Sequence, residues 1–430
     1  MLGVFLSLLG PLALAVPHLP AQTGQLEAGR PAPPRLPDVV LFVIDDVADS
    51  DLDSIATPTL DAMAERGVRY RRAYSQAWCS PTRDSLMRSV WLGSDHGDGC
   101  APATARTLVP GEFNLPRLFE GQGYRTATFG KWHLGSNPLG PWELTPQLMG
   151  FDAARASYPV GDCGPATGWI RVDDGVVSTS RGDRMLPLRD AFLQWWAETD
   201  SPRFAVVNFT AAHEPFNFPP RTALPPNYPR PLSPTNRQTF AAEVASADYL
   251  MGQMLSVLGP DDWAFFLGDN GTPGRVPGQA PSQTDATRPD QDPGRVKLTC
   301  YEDGVRVPLI VQGPNLSPGT ESRALVHVVD ILPTLAEILH APLRAPVDGR
   351  SFAGTLTGGP GRRDYVYVQS LPRVDDALIL ERWKLLTNPD GAEEFYDLER
   401  DPREQTPLPL VGPVVEKLRL LRGRLQLGRR

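Results

Sequence analysis

The sequence predicts an α/β fold in which helices flank a large, mostly parallel sheet. The apolar, mostly β-branched run at 39–44 is typical of a strand buried on both faces. Strand-like and helix-like segments then alternate as far as about residue 350, which favours parallel strands joined by helices. The composition, with 41% apolar and 21% charged residues, is that of an ordinary globular protein.

Each further helix or strand is predicted from the spacing of hydrophobic residues and from turn residues. The predicted helix at 59–66 ends at Gly67, and apolar positions recur at helical spacing through 240–258. Further helices are predicted at 115–120, 189–198 and 331–339. Further strands are predicted at 124–129, 204–209, 264–267 and 308–312. The Gly-, Pro-, Gln- and Asp-rich stretch 271–296 is predicted to be a long functional or mobile loop.

The pattern changes after about residue 350. Short strand-like segments follow one another closely, as in an antiparallel meander, at 365–369, 376–380, 383–386 and 394–398. A helix is predicted after them at 414–425. We therefore expect a main α/β domain over 37–350 and a smaller C-terminal α+β domain, built on an antiparallel sheet, over 351–430.

The N-terminus predicts export. Residues 3–16 form a short apolar run with small residues at Ala13 and Ala15, and a second possible cleavage point follows Ala21. We expect a signal peptide over 1–21, a linker over 22–36, and a secreted or periplasmic protein. The alternative is an uncleaved hydrophobic anchor. No later run of about 20 apolar residues predicts a membrane span.

The charged residues exclude one class of function, and the lysines and cysteines mark residues of interest. The net charge of −8 argues against a nucleic-acid-binding protein, which would need a basic face. Lysine is rare, with four residues among 42 basic ones, so each lysine is a candidate for a site that needs a compact charge. An exported chain could pair two of its four cysteines, and Cys100 with Cys163 is one candidate that spacing alone does not fix.

Polar residues follow four of the predicted strands. The sequence places Asp45–Asp46, Gly130–His133, Thr210 with His213, and Gly268–Gly271 at these ends. One such end is explained by an ordinary turn or cap, because Asp, Asn and Gly are common turn residues. Ligands of open α/β sheets bind beyond the carboxyl ends of the strands, so four such ends predict a shared site.

Four of these residues supply only oxygen ligands: Asp45, Asp46, Asp269 and Asn270. Such a set suits a hard divalent cation, Ca²⁺ or Mg²⁺, and suits zinc poorly. The alternative is that the two pairs are structural, one as a cap and the other as a turn.

The segment Cys79-Ser80-Pro81-Thr82-Arg83 predicts a helix that begins at Cys79. Pro81 suits a first helical turn, and Arg83 can lie on the same face as Cys79. Backbone N–H groups, the helix dipole and the guanidinium would then create an anion site around Cys79. The alternatives are an inert buried cysteine and a thiolate phosphatase, whose loop usually places five residues, not three, between its Cys and Arg.

The segment CSPTR at 79–83 resembles the C-x-P-x-R signature of the type I, formylglycine-dependent sulfatases of the alkaline-phosphatase-like superfamily. GKWHLG at 130–135 is similar to their second signature. The family's order is also followed by PDVVLFVIDD at 37–46, GFD at 150–152, GDNG at 268–271, KLTCYEDGVRVPLIV at 297–311 and HVVDILPTL at 327–335. The resemblance extends over about residues 36–405 and implies an alkaline-phosphatase-like fold.

The resemblance implies a modified residue and a metal. A maturation enzyme would oxidise Cys79 to formylglycine, whose hydrated aldehyde is the nucleophile. One Ca²⁺ would be held by residue 79 and by the four oxygen-bearing residues, Asp45, Asp46, Asp269 and Asn270.

The resemblance also implies roles for the nearby cationic and histidine residues. Arg83 and Lys131 would steady the formylglycine hydrate and the sulfate, and Lys297 would hold the sulfate. His133 would act as base on the second hydroxyl, and His213 would protonate the leaving oxygen. The alternatives are solvated surface charge for both lysines and a structural role for both histidines.

Three functions follow from the sequence. The first is a sulfatase that cleaves sulfate esters, with sulfated small molecules or carbohydrates as substrates. The second is a phosphoester or phosphonate hydrolase on the same scaffold. The third is a non-catalytic relative that binds sulfated glycans because its Cys79 is never matured.

Overall fold

The computed structural model describes residues 35–91, 110–134, 141–158, 168–200, 202–274, 286–370 and 375–427. Residues Leu36–Arg430 belong to one compact unit. The predicted signal peptide at 1–21, most of the linker, and Cys100 and Cys163 lie outside the described residues. Within those residues, no helix combines the length and the apolar character that crossing a membrane requires.

The described strands form three sheets. In chain order they are β1 (Val39–Ile44), β2 (Val68–Tyr70), β3 (Ala73–Tyr74), β4 (Arg125–Lys131), β5 (Ala153–Tyr158), β6 (Trp169–Asp173), β7 (Val176–Ser180), β8 (Arg203–Asn208), β9 (Trp263–Gly268), β10 (Leu309–Gln312), β11 (Thr320–Ser322), β12 (Val326–His327), β13 (Tyr365–Ser370), β14 (Asp375–Leu380), β15 (Trp383–Thr387) and β16 (Glu393–Asp397).

The helices lie mostly between these strands. They are α1 (Pro58–Arg66), α2 (Cys79–Arg88), α3 (Leu115–Glu120), α4 (Thr145–Leu148), α5 (Met185–Glu198), α6 (Asn236–Leu255), α7 (Glu302–Val305), α8 (Ile331–Ile338) and α9 (Pro413–Leu427). Short 3₁₀ turns include Asp49–Asp53 and Val328–Asp330.

The main sheet has the described strands in the order β11-β2-β10-β9-β1-β8-β4-β5-β6-β7. From β9 to β5 neighbouring strands are parallel, whereas β10 is antiparallel to β9, and β6 and β7 form an antiparallel hairpin beyond β5. β3 and β12 form a small separate pair. The predicted fold class, a mostly parallel sheet flanked by helices, is confirmed.

The apolar run of β1 explains why this sheet is covered on both sides. Alternate side chains of a strand point to opposite faces, so Val40, Phe42 and Ile44 pack with residues of α1, α5 and α6. Val39, Leu41 and Val43 pack with residues of α2, α3 and α8 on the other face. Every residue of the strand is at most 1% exposed.

The predicted helices and strands agree with the structure to within about four residues. The helices predicted at 189–198 and 240–258 each begin four residues earlier, at Met185 and Asn236. The short strands β2, β3, β11 and β12 were not predicted. Strands β5, β6 and β7 were also not predicted, because their alternating small, polar and charged residues, such as AARASY and VVSTS, lack a continuous apolar run.

The C-terminal strands form the predicted meander. β13, β14, β15 and β16 pair in sequence order and are all antiparallel. α9 packs on one face of this sheet, where its Val415 and Leu418 meet Tyr367, Leu378 and Leu385. The boundary near residue 350 stays a prediction.

A buried ion cluster anchors this small sheet to the main part of the chain. Lys384 of β15 is 0% exposed, and its Nζ lies 3.0 Å from Glu302 Oε1 and 2.9 Å from Glu404 Oε1. The Glu302 N–H also donates to Glu404 Oε2 at 2.6 Å. Burial raises the pKa of Glu404 to about 7 against the opposing effect of the Lys384 charge. The lysine therefore bonds to two acids that have little access to water.

We expect Lys384→Met to destabilise the protein strongly, because it removes the cation that Glu302 and Glu404 share, although Glu302 keeps Arg306 at 3.4 Å. Breaking a buried ion pair by removing one partner typically costs about 3–5 kcal/mol. The free energy of unfolding in urea measures the effect. The matched control is Lys417→Met, which replaces an exposed lysine of α9 and should change stability by less than about 0.5 kcal/mol. Equal stability of the two variants would contradict the proposed anchoring.

Candidate active site

The site is built first by two neighbouring strands. Ile44 at the end of β1 pairs with Gly268 at the end of β9, so the residues that follow both strands lie side by side. The Asp46 N–H donates to Asp269 Oδ1 at 3.2 Å, and Asn270 Nδ2 donates to Asp46 Oδ1 at 2.7 Å. Parallel pairing therefore brings the two acidic segments together at the carboxyl edge of the sheet.

Helix α2 places Cys79 against these carboxylates. The helix begins at Cys79, as predicted, with Pro81 in its first turn. Cys79 is 0% exposed, and its Sγ lies 4.0 Å from Asp46 Oδ1. Burial raises the pKa of this thiol despite the nearby charges of Lys131 and Lys297. The unmodified side chain is therefore a neutral thiol and not a thiolate nucleophile, which argues against the thiolate-phosphatase alternative.

Arg83, one turn along α2, ties three strand ends together. Its Nε and Nη2 donate to Asp269 Oδ2 at 3.1 and 2.8 Å. Its Nη1 donates to the Lys131 carbonyl and to Asn208 Oδ1, each at 2.8 Å. Asn208 was not predicted as a site residue. The sequence did contain a signal for it, because Asn208 is a polar residue within the otherwise apolar predicted strand at 204–209.

The two lysines approach the carboxylates from different elements. Lys131, at the end of β4, bonds to Asp45 Oδ2, and Lys297 Nζ lies 2.7 Å from the Asp46 carboxylate. Their side chains are only 1% and 12% exposed, so the alternative of solvated surface charge is wrong for both. Burial alone would lower the lysine pKa values, but the adjacent carboxylates raise them above the usual value. Both lysines are therefore firmly protonated.

The two predicted histidines border the same cluster. The His213 Nδ1 lies 2.6 Å from the Glu214 carbonyl, so that nitrogen must carry a proton and donate it. This leaves Nε2, which lies 4.0 Å from Asp46 Oδ2, to gain or lose the second proton. Burial, followed by the charge of Lys131, lowers the pKa of both His213 and His133. Both imidazoles are therefore mainly neutral near pH 7.

The donor atoms fit a hard divalent cation. One ligand atom each from Asp45, Asp46, Cys79 and Asp269 lie within 4.8 Å of one another. Calcium–oxygen distances of about 2.3–2.6 Å place opposite ligands roughly 5 Å apart. Asp45 Oδ1 and Asn270 Oδ1 are buried and have no hydrogen-bond partner among the described residues, so both can coordinate an ion.

The pKa values of the three acids show how the cluster is balanced. Burial raises the pKa of each, but Lys131 reverses this for Asp45 and Lys297 reverses it for Asp46, so both lie below the usual value. For Asp269 burial and the charge of Asp45 prevail over Arg83, and its pKa is raised. A bound dication would favour the ionised form of all three.

Fold and site together define a class: a hydrolase with an α/β fold, a buried carboxylate cluster that fits a cation, and buried cationic side chains that suit an anionic ester. The family model described as Sulfatase matches residues 37–341, and the chain belongs to this family. It is a sulfuric ester hydrolase. The chain is 23% identical over 453 residues to the N-acetylgalactosamine-6-O-sulfatase of Bacteroides thetaiotaomicron, covering 86% of this chain and 89% of that protein.

Solved structures share the fold. The protein Ps i-CgsB in complex with k-i-k-neocarrahexaose has a TM-score of 0.78 and 19% identity, covering 92% of this chain and 93% of that one. The phosphonate monoester hydrolase of Agrobacterium radiobacter has a TM-score of 0.64 and 19% identity, covering 92% and 95%.

Gly130 sets the position of Lys131 and His133. Its φ is +79°, and a Cβ at this position would lie 2.0 Å from the Asn208 carbonyl oxygen and 2.5 Å from Leu188 Cδ1. Pairing of β4 with β5 shifts register between Phe129 and Lys131. Only glycine allows β4 and β8 to approach this closely just before the site residues.

We expect Gly130→Ala to destabilise the protein more than Gly123→Ala. Gly123 has a similar φ of +83°, but a Cβ there meets nothing within 4 Å, so this control measures the backbone penalty alone. The clash at Gly130 should add about 1–3 kcal/mol, as in other overpacked cores. Chemical denaturation of both variants measures the difference, and equal losses would show that the clash is relieved.

Proposed function

We propose that this chain hydrolyses sulfate esters of carbohydrates by means of a formylglycine made from Cys79 and a bound Ca²⁺. The observation that carries the proposal is the position of Cys79. It lies buried at the start of α2, in contact range of Asp46 and within the donor cluster that fits the cation.

The charge of the site supports an anionic ester with one negative charge. When ionised, the acids of the described site (Asp45, Asp46 and Asp269) balance its cations (Arg83, Lys131 and Lys297). A bound dication would leave two positive charges in excess. A sulfate ester supplies one negative charge, and the nucleophile supplies the other after it loses a proton. A phosphate monoester, with about 1.5–2 negative charges near pH 7, fits this balance less well.

The modified residue and the cation would supply the nucleophile. The hydrate of formylglycine offers one hydroxyl for attack on sulfur and a second whose deprotonation expels sulfate, and a cation lowers the pKa of such hydroxyls. Residue 79, Asp45, Asp46, Asp269 and Asn270 would hold Ca²⁺. Hard oxygen ligands of this kind are those that calcium prefers.

The cations of the chain would position the sulfate. Lys297 and Lys131 are protonated and already directed at the carboxylates that border Cys79. Arg83 is fixed by its bonds to Asp269 and Asn208, so its charge is preorganised. Preorganised cations stabilise charge that develops on sulfate oxygens in the transition state without reorganising solvent.

The histidines would move protons. The Nε2 of His213 can carry a proton toward the leaving oxygen, because its Nδ1 is held by the Glu214 carbonyl. His133, neutral and partly buried near Lys131, can accept the proton of the second hydroxyl. A lowered pKa suits the base role of His133, whereas His213 must first gain a proton on Nε2, so its acid role is expected to weaken as the pH rises above its lowered pKa.

Relatives support a carbohydrate substrate. The bacterial relative is named for N-acetylgalactosamine 6-sulfate, and Ps i-CgsB was solved with a neocarrahexaose. The second candidate is phosphonate monoester hydrolysis, because such esters also carry one negative charge and a hydrolase of this kind shares the fold. A non-catalytic protein that binds sulfated glycans is the third.

Maturation and export complete the proposal. We infer that a formylglycine-generating enzyme modifies Cys79, and that the apolar run at 3–16 directs the chain to a secreted or periplasmic location. Because Cys79 is fully buried in the folded chain, the modification requires a chain that is not yet folded.

We expect matured protein to hydrolyse 4-nitrophenyl sulfate, and Cys79→Ala to lower this activity by about a thousandfold or more, because the nucleophile is lost. Mass spectrometry of the peptide that contains 79–83 measures maturation. The control is Cys300→Ala, which removes a buried cysteine outside the site. Retained turnover in Cys79→Ala would refute the mechanism. Faster turnover of an aryl phosphonate would favour the second candidate, and an unmodified Cys79 without turnover the third.

We also expect Ca²⁺ to raise the melting temperature, because a ligand that binds only the folded state stabilises it by about 2.7 kcal/mol at 100 times its Kd. Asn270→Ala should weaken the calcium-dependent shift, since it removes Asn270 Oδ1, a buried oxygen that has no hydrogen-bond partner among the described residues and can coordinate the ion. Asn236→Ala at the start of α6 is the control. Thermal unfolding with Ca²⁺ and with a chelator measures the shift. An identical shift in both variants would exclude Asn270 from the cation site.

A further inference from the structure

A cavity of about 470 Å³ is lined by His213, the residue proposed to protonate the leaving oxygen. Its volume lies in the range of about 300–1,000 Å³ that is usual for small-molecule sites. It is formed by the loop before α5, the loops that follow β8, and one face of α6. We call it the leaving-group cavity. Arg184 and Arg230 are the basic residues of its described lining.

Arg230 is held in place without an acidic partner. Its guanidinium lies 4.9 Å from the centre of the Phe218 ring, and Nη1 donates to the Pro219 carbonyl at 3.4 Å. No carboxylate lies within ion-pair distance of Arg230 in the part of the chain that the structure describes. Stacking on an aromatic ring restricts the side chain while its remaining N–H groups stay available.

Arg184 connects the cavity to the catalytic edge. Its guanidinium lies 5.3 Å from the centre of the Tyr158 ring, at the end of β5. The Tyr158 hydroxyl bonds to Thr210, which lines the cavity three residues before His213. The cation is thus supported by the same sheet edge that carries the site.

Two acids of the cavity are bonded to backbone groups. Asp183 Oδ1 accepts from the Leu186 N–H at 2.7 Å, and Glu243 Oε1 accepts from the Asn217 N–H at 2.7 Å. Burial raises the pKa of Asp183 and of Glu243. Both acids therefore serve the backbone and carry less negative charge than exposed carboxylates. Glu214 is the remaining acid of the lining.

We propose that the leaving-group cavity binds a second anionic group of the substrate, a carboxylate or another sulfate, and that Arg230 with Arg184 recognises it. The proposal rests on the proposed function, since it names what the alcohol part of the sulfate ester carries. A guanidinium presents paired N–H donors that match carboxylate and sulfate oxygens. Arg230 is a specificity-determining residue in this arrangement, because it would contact the second anionic group and not the sulfate that is cleaved.

The test measures binding separately from turnover. Cys79→Ala protein, which cannot be matured, is titrated calorimetrically with a monosulfated neutral hexose, the corresponding sulfated hexuronate and the disulfated hexose. We expect either or both of the latter two to bind about tenfold or more tightly than the neutral sugar, and the comparison shows which anion is preferred. Adding Arg230→Ala should remove this preference and leave affinity for the neutral sugar unchanged.

Two further variants make the result specific. Arg230→Lys should keep part of the preference, because it retains the charge but loses the planar fork. Arg323→Ala, an exposed arginine outside the cavity, should keep all of it. Equal affinity for all three sugars, or an equal loss for all three in Arg230→Ala, would overturn the proposal. Failure of matured wild-type protein to hydrolyse any sulfate ester would instead count against the proposed function, and the binding ratios would be unaffected.

Discussion

The structure depends on charge compensation inside a water-poor site. Three acidic side chains of the described site, Asp45, Asp46 and Asp269, would repel one another if they were buried alone. Each meets its own cation: Lys131, Lys297 and Arg83 respectively. Removing a charge from water costs several kcal/mol, so such a cluster persists only when every charge has a close partner. A divalent cation that enters this balanced cluster would leave an excess of positive charge, which suits an anionic substrate.

The sheet is the means by which these charges meet. β1, β8, β4 and β9 contribute residues from distant parts of the sequence, and parallel pairing aligns their carboxyl ends. Close approach of the loops then requires glycine. A Cβ on Gly271 would lie 1.9 Å from the Asp303 carbonyl oxygen, so no larger residue could follow Asn270 in this conformation. The geometry of the site is therefore a property of the whole sheet edge.

Local pattern predicted the strand ends because each signal is contained in a few adjacent residues. The run at 39–44 followed by Asp45–Asp46, and the proline near Cys79, needed no knowledge of the tertiary structure. Asn208 was missed because its role depends on the position of Arg83, 125 residues away. β5 was missed because its burial comes from neighbouring elements and not from its own hydrophobicity.

The same limit explains the leaving-group cavity. Its basic residues belong to loops that are separated in sequence, and each is an ordinary arginine in a chain that has many. Their proposed role depends on the Tyr158 and Phe218 rings on which they stack and on the cavity that both arginines line. Sequence pattern therefore predicts the residues at the strand ends more readily than it predicts the loop residues that would determine substrate specificity.

The positions of three of the four lysines follow from the constraint on buried charge. Lys131, Lys297 and Lys384 are buried beside carboxylates, whereas Lys417 is exposed on α9. A compact ammonium can satisfy two carboxylates in a small space, as Lys384 does with Glu302 and Glu404. Arg83 shows the contrasting use, because its planar fork must reach Asp269, Asn208 and a backbone carbonyl at once. Where this chain has a lysine in its interior, the geometry calls for a point charge that a guanidinium cannot replace.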